Sequence, residues 1–238
     1  MEATVRRGDW LELSAGLEPA SVDLLYADPP FNTGVTKRAA AGKFDDSWPD
    51  AGAYTDWLRA RLEATLPAMK RSGSILIHCD WRTSHRVRVM LDEVLGEEHF
   101  VNHLVWSYGL GGSSARRFAR KHDDILFYAI DPARYWFKPP MVPATSRRMA
   151  GMMKKATDVL DVPSINNMSK ERAGWPTQKP LALLEVLVGA CCPPGGMVLD
   201  PCCGSGTTLV AAARLGRAGI GFDVSAKAVA LARRRVAG

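Results

Sequence analysis

Four consecutive residues, Asp28-Pro29-Pro30-Phe31, combine a carboxylate, a rigid proline pair and an aromatic face. They follow an apolar, strand-like run, Val22-Asp23-Leu24-Leu25-Tyr26-Ala27, which puts them at the mouth of a sheet. Such a group can grip a flat ring that carries an exocyclic amine. The carboxylate accepts one amino hydrogen. A proline has no N–H but keeps its carbonyl, which accepts the other. The aromatic ring stacks on the heterocycle. Taken alone, Asp-Pro-Pro is more often turn punctuation than a site, so the chemical reading depends on the rest of the chain.

A second segment, Asp200-Pro201-Cys202-Cys203-Gly204-Ser205-Gly206-Thr207-Thr208, lies between a buried strand and a helix. Gly204 and Gly206 let the backbone turn sharply and approach a ligand closely. Asp223 ends the next strand, about 20 residues on, where an acidic side chain can take the ribose hydroxyls of an adenosine cofactor. A nucleotide phosphate loop would need a lysine before the Ser/Thr, and none is present. A dinucleotide fingerprint would need a third glycine, where Leu209 stands. An adenosine cofactor without phosphates fits better, and S-adenosylmethionine would offer its α-amino group to Asp200. The bland alternative is a generic strand–turn–helix. A third segment, Pro176-Thr177-Gln178-Lys179-Pro180, reads as the start of a helix over 177–190 with Thr177 as N-cap. Lys179, or the helix start itself, would receive the cofactor carboxylate; the plain reading is an exposed lysine.

These segments need a scaffold, and the apolar periodicity supplies one. Two alternating strand–helix blocks flank a middle of different character. The first holds strands ending near Asp9 and Asp28, a helix over 54–70, a buried strand over 74–79 and a helix over 82–95 stopped by Gly96. Residues 32–50 read as a mobile loop or lid. Residues 101–108 and 125–130 read as antiparallel strands at a sheet edge. From Asp131 to Pro176 regularity fails, and an ordered but irregular insertion is expected. The last block alternates strands at 197–199 and 219–222 with helices at 207–215 and 226–236. The expectation is an α/β fold with a mostly parallel, doubly wound sheet and helices on both faces.

Composition narrows the classes. The chain has 238 residues, 47% hydrophobic and 24% charged, as expected for one globular domain. No apolar run is long enough to span a bilayer, and the N-terminus lacks the apolar core of a signal peptide, so a cytoplasmic location is expected. Net charge is +6, and much of the excess lies between Ser107 and Arg172. Arg116, Arg117, Arg120, Lys121, Arg147 and Arg148 there are candidates for a nucleic-acid groove. The five cysteines include two adjacent pairs and no Cys-x-x-Cys, so no metal is expected and the thiols read as reduced, buried residues.

Together these residues resemble the prokaryotic amino-methylating DNA methyltransferases, in the class that carries the catalytic tetrapeptide before the cofactor loop. The resemblance runs through Gly8-Asp9, Asp28 to Phe31, Lys121-His122-Asp123, Ser169 to Arg172, Thr177 to Pro180, Asp200 to Thr208 and Gly221-Phe222-Asp223. It implies a permuted Rossmann-like fold that uses S-adenosylmethionine, with residues 1–106 and 177–238 forming one domain around a target-recognition insertion at 107–176. It also implies that Asp28, Pro29, Pro30 and Phe31 grip a base flipped from duplex DNA. Asp200 and the loop through Cys202, Gly204, Ser205, Gly206 and Thr207 would hold the methionine part, Asp223 the ribose, and Asp9 with Trp10 the adenine. The cofactor strands would precede those at 5–9 and 22–28 in space.

Asp at the first tetrapeptide position favours adenine N6 over cytosine N4 within the family. Carbon-5 methylation needs a cysteine nucleophile, and Pro201-Cys202 lies in the cofactor loop, facing the wrong ligand. The family usually has phenylalanine where Cys202 stands, which reduces contact area and keeps a non-catalytic DNA-binding relic as an alternative. Methylation of RNA or of a protein amide is another. A short insertion implies a short recognition site and allows for a homodimer; a restriction nuclease, if one exists, is a separate chain.

Overall fold

Leu24 and Tyr26 point to one side of a strand, Leu25 and Ala27 to the other, and all four are buried. A strand covered on both faces belongs in the middle of a layered α/β structure. The computed structural model describes residues 2–39, 42–44, 46–109, 113–166 and 168–238. In chain order its first elements are β1 (Ala3–Arg7), α1 (Trp10–Ser14), β2 (Val22–Ala27), β3 (Lys37–Ala39), β4 (Gly42–Phe44) and α2 (Ala51–Thr65). The middle holds β5 (Met69–Cys79), α3 (Ser84–Leu95), β6 (Phe100–Ser107), β7 (His122–Ala129), β8 (Met141–Pro143), β9 (Met153–Lys155) and β10 (Val159–Asp161). The chain closes with α4 (Leu181–Cys191), β11 (Met197–Asp200), α5 (Thr207–Arg214), β12 (Ala218–Asp223) and α6 (Ala226–Ala237).

Eight strands form one sheet in the order β1-β12-β11-β2-β5-β7-β6-β10, and β7 alone runs against the rest. The α/β class, the mostly parallel sheet and the two helical layers are as expected. One face packs Leu25, Ala27, Ile75 and Ile77 against Trp10 of α1, Tyr54, Leu58 and Leu62 of α2, and Val87 and Leu91 of α3. The other packs Leu24, Tyr26, Leu76 and Val198 against Leu184 and Val188 of α4 and Ala211 of α5. Beside it, Val5 and Leu209 meet Val229 and Ala232 of α6.

Several expectations need correcting. The N-terminal strand does not follow the two cofactor strands in space. β1 lies outside them, paired with β12 from Ala3↔Gly219 to Arg7↔Asp223. β6 and β7 are antiparallel neighbours as expected, but the edge position belongs to β10, which pairs with β6 through Leu160↔Trp106. Thus the segment read as irregular supplies β8, β9 and β10. The second helix ends at Thr65, and its strand starts at Met69 rather than 74.

Within the segment read as a lid, β3 and β4 form a hairpin, with residues 40, 41 and 45 outside the described residues. Its base is stapled by buried Asp46, which accepts from Asn32 N at 2.7 Å and Thr33 Oγ1 at 2.5 Å. Trp48 N donates to Asn32 Oδ1 at 3.0 Å. Removing a buried acceptor leaves its donors unsatisfied, so Asp46→Ala is expected to cost about 2 kcal/mol. Urea unfolding reads this as a lowered midpoint, and an unchanged midpoint would refute the staple.

Candidate active site

The chain leaves β11 through α5 toward β12, and leaves β2 through α2 toward β5, in the opposite direction across the sheet. Carboxyl ends that diverge this way open a crevice where open α/β sheets bind ligands. Asp200 is the last residue of β11 and Asp28 follows the last residue of β2. Asp23 holds the two strands in register by accepting from Met197 N at 2.8 Å and Lys70 Nζ at 2.7 Å. Between them opens a cavity of about 960 Å³. It is lined by the tetrapeptide, the glycine loop, Asp9, Trp10, Lys179 and Asp223, so one hollow collects residues spread over the whole sequence.

The half beside β11 and β12 turns on two glycines that the local packing requires. Gly204 has φ +49° and Gly206 has φ +76°, a region that side chains rarely enter. A Cβ at 204 would lie 2.8 Å from Trp175 Nε1, and one at 206 would lie 2.8 Å from Ala232 Cβ. Asp223 accepts from Gly204 N at 3.0 Å and Ser225 N at 2.8 Å, which fixes the loop to the end of β12. Burial pushes the Asp200 carboxyl up to about 7, and the nearby Asp28 and Asp223 push the same way against hydrogen bonds from Thr208 and Cys202 N. Burial likewise raises Asp223. Neither carboxyl forms an ion pair among the described residues. A buried acid and a half-buried one without a cation suit a cationic ligand, and S-adenosylmethionine, with a sulfonium and an ammonium, has that character.

Some residues read as cofactor contacts line the cavity and also carry structural bonds. Arg235 Nη1 donates to the Ser205 carbonyl, Ser205 Oγ and Thr207 Oγ1 at 2.8–2.9 Å, which ties the loop to α6. Asp9 caps α1 by accepting from Leu11 N and takes both oxygens to Arg61 Nη2 at 2.8–2.9 Å. Trp10 is buried, donates to Thr65 Oγ1 and meets Trp57 edge-on. Arg61 and Trp57, one turn apart on α2, also line the cavity, with the guanidinium 4.1 Å from the indole centre. Neither was marked in the sequence, although their i, i+4 spacing on one helical face was a usable signal.

The half beside β2 centres on Asp28. Lys179 Nζ donates to its Oδ2 at 2.6 Å, while Oδ1 is buried and has no hydrogen-bond partner among the described residues. Lys179 therefore stands on the tetrapeptide, 5.2 Å from the centre of the Phe31 ring. Phe31 stacks on His78 with centroids 5.7 Å apart and planes 24° apart. His78 is fully buried, with Nδ1 2.9 Å from Tyr26 Oη and Nε2 3.2 Å from Asp123 Oδ2. Burial works to raise Asp123, but His78, with Lys179 and Tyr108, holds the carboxyl below its ordinary value. A carboxylate only accepts, so Nε2 carries the proton. Tyr26 stays a phenol because burial and the nearby acids raise it strongly. Phe31 thus rests on a ring that is itself held at both nitrogens. Lys121-His122-Asp123 belonged to the sequence resemblance, but nothing local showed what Asp123 would hold.

The expected helix start at Thr177 is wrong. The helix α4 starts at Leu181, with Pro180 at the N-cap position and no capping bond from its own side chain. A residue before proline is driven out of the helical region, and Lys179 lies outside the helix, where it reaches Asp28. The capping acceptor comes from upstream instead: Glu171 Oε1 takes Leu181 N at 2.6 Å. Gln178 ties the two segments by accepting from Ala173 N and donating to the Glu171 carbonyl.

All five cysteines are free thiols. Burial pushes Cys202 and Cys203 well above the ordinary thiol value, which disfavours a nucleophilic thiolate. Of the basic candidates, Arg117 and Arg120 line a hollow of about 300 Å³ that shares Asp80, Arg82, Tyr108 and Asp123 with the main cavity. Arg116 and Lys121 adjoin them in sequence, while Arg147 and Arg148 sit on a separate exposed turn and line neither hollow. Among the described residues no helix is long and apolar enough to cross a membrane.

A family model described as DNA methylase matches residues 22–234. The chain is 31% identical over 224 residues to the type II methyltransferase M.HpaI of Haemophilus parainfluenzae, covering 92% of this chain and 69% of that one. It is 27% identical over 258 residues to the DNA adenine methyltransferase YhdJ of Escherichia coli (strain K12), covering 98% and 82%. Its fold superposes on the M1.HpyAVI–SAM complex with a TM-score of 0.70 at 22% identity, covering 99% of both chains. It also matches the cytosine-N4-specific PvuII DNA methyltransferase with a TM-score of 0.74 at 18% identity, covering 99% of this chain and 86% of that one.

Proposed function

Since this chain belongs to the DNA methylase family, we propose that its cavity passes a methyl group from S-adenosylmethionine to the exocyclic N6 of adenine in duplex DNA. The carrying observation is the divided state of Asp28, a residue of the cavity lining: Oδ2 is held by Lys179, and Oδ1 is buried with no hydrogen-bond partner among the described residues. An amino hydrogen is the partner that Oδ1 lacks. Bound in the half beside β11 and β12, S-adenosylmethionine supplies an electrophilic methyl group on its sulfonium.

The chain's own residues do the rest. The target base leaves the duplex to enter the cavity and lies against Phe31, which His78 keeps from tilting. An exocyclic amine is a poor nucleophile because its lone pair is delocalised into the ring. Hydrogen bonds from its two hydrogens to Asp28 Oδ1 and the Pro29 carbonyl pull the nitrogen toward sp³ geometry and free the lone pair. As the nitrogen–carbon bond forms and the sulfur–carbon bond breaks, the surplus amine proton passes to Asp28 Oδ1. Positioning and fixed charges supply most of the acceleration. Asp200 and Asp223 hold the donor, and the small side chain at Cys202 is offset by Trp10, Trp57 and Trp175 on the same cavity wall. That aromatic surface supports an enzyme over a relic.

Adenine is favoured by Asp28 itself, since Asp at this position resembles the adenine enzymes, and by the likeness to a DNA adenine methyltransferase. Sequence selection is assigned to the 107–176 insertion. Nucleoside analysis of DNA incubated with the protein and S-adenosylmethionine is expected to yield N6-methyladenine; N4-methylcytosine alone would overturn the base assignment.

A further inference from the structure

Phe118 is 98% exposed, more than any other large apolar side chain among the described residues. It stands in the run Arg116-Arg117-Phe118-Ala119-Arg120-Lys121. The run is tied to the body of the protein. The Arg120 guanidinium lies 3.3 Å from the centre of the Trp81 ring. Lys121 Nζ donates to the Gly109 carbonyl at 3.0 Å, and Tyr108 N donates to the Lys121 carbonyl at 3.1 Å. Arg117 and Arg120, on either side of Phe118, line the small hollow that shares four wall residues with the main cavity. Neither arginine forms an ion pair among the described residues. An aromatic ring is therefore presented to solvent between two cations without ion pairs among the described residues, and both cations line a hollow that shares its wall with the main cavity.

Water is a poor environment for a phenyl ring, and the flanking charges exclude an apolar partner surface such as a lipid interior. A duplex satisfies both features. Phosphates meet the arginines, and behind them lies an apolar stack that a side chain can enter. A nucleotide drawn into the cavity leaves a gap in that stack, and an apolar wedge in the gap stops the base from returning. We propose that Phe118 is such a wedge, entering the base stack beside the extruded nucleotide while Arg117 and Arg120 take the flanking phosphates. This rests on the methyl-transfer reading above.

The test begins by mapping the methylated site on bacteriophage DNA treated with the wild-type protein. Two synthetic duplexes carrying that site are then compared. One has the normal base opposite the target, and the other has a pyrene nucleotide there, whose bulk fills the gap without help. Phe118→Ala is expected to lose about 10-fold or more of its single-turnover rate on the normal duplex. On the pyrene duplex it should come within about threefold of wild type, and Phe118→Trp should stay close to wild type on both. The melting temperature of Phe118→Ala should not move, because the side chain is almost wholly exposed. Wild-type rates for Phe118→Ala on the normal duplex, or equal losses on both duplexes, would overturn the wedge. A wild-type protein that methylates no DNA at all would instead bring down the methyl-transfer reading, and the wedge with it.

Discussion

Asp28→Ala is expected to lower the rate of methyl transfer to DNA by about 100- to 1000-fold, the scale on which single preorganised hydrogen bonds act in active sites. The loss should fall on kcat, because the carboxylate acts on a nitrogen whose geometry changes only as the bond forms. S-adenosylmethionine affinity should stay within a few-fold, since Asp200 and Asp223 remain. Asp28→Asn sharpens the result. It keeps an acceptor oxygen but removes the negative charge that Lys179 faces at 2.6 Å, so it should be slower than wild type yet faster than alanine. Calorimetry with S-adenosylmethionine and radiolabelled methyl transfer to DNA measure the two quantities separately. Near-normal transfer by Asp28→Ala would remove Asp28 from the base-gripping role.

The second large effect concerns Asp200 and pH. Its carboxyl is raised to about 7 by burial, so the folded protein binds a proton there that an unfolded chain has released well below neutrality. Stability from that proton is present in acid and is lost as pH rises through about 7. A bound cation reverses the preference by favouring the carboxylate. S-adenosylmethionine should therefore bind more tightly as pH rises from about 5.5 to about 8, by as much as tenfold per unit below the carboxyl's pKa, with release of a proton on binding. Calorimetry in two buffers of different ionisation heat counts that proton. Asp200→Asn should bind weakly at every pH and flatten the dependence. An affinity constant across this range in the wild type would show that Asp200 does not meet the donor's charge.

The parts of the site legible in the sequence are those fixed by local rules. A buried apolar run followed by Asp28, or by Asp200 and two glycines, announces a strand end and a tight turn. Asp223 follows from strand spacing. The missing parts are long-range pairings. Lys179 reaches Asp28 across 151 residues and Arg61 reaches Asp9 across 52, and no local pattern reports such contacts. The misread helix start has the same cause, since its capping acceptor, Glu171, comes from a neighbouring segment. Yet the proline that bars Lys179 from the helix was visible in the sequence. β10 has three residues, too few to show alternation, and becomes a strand only because β6 offers an open edge.

The pairing of β1 with β12 has a consequence for biosynthesis. During translation β1 emerges first, yet its sheet partner is made only after β2 to β11. Arg233 of α6, which donates to the Val5 carbonyl at 2.8 Å, is made later still. The strands β2, β5, β6 and β7 are all made before β11 and β12, and before α4 and α5, which cover one face of β2 and β5. Asp28 is thus made well before Lys179, which holds its Oδ2, and before Asp200 and Asp223, which face it across the crevice.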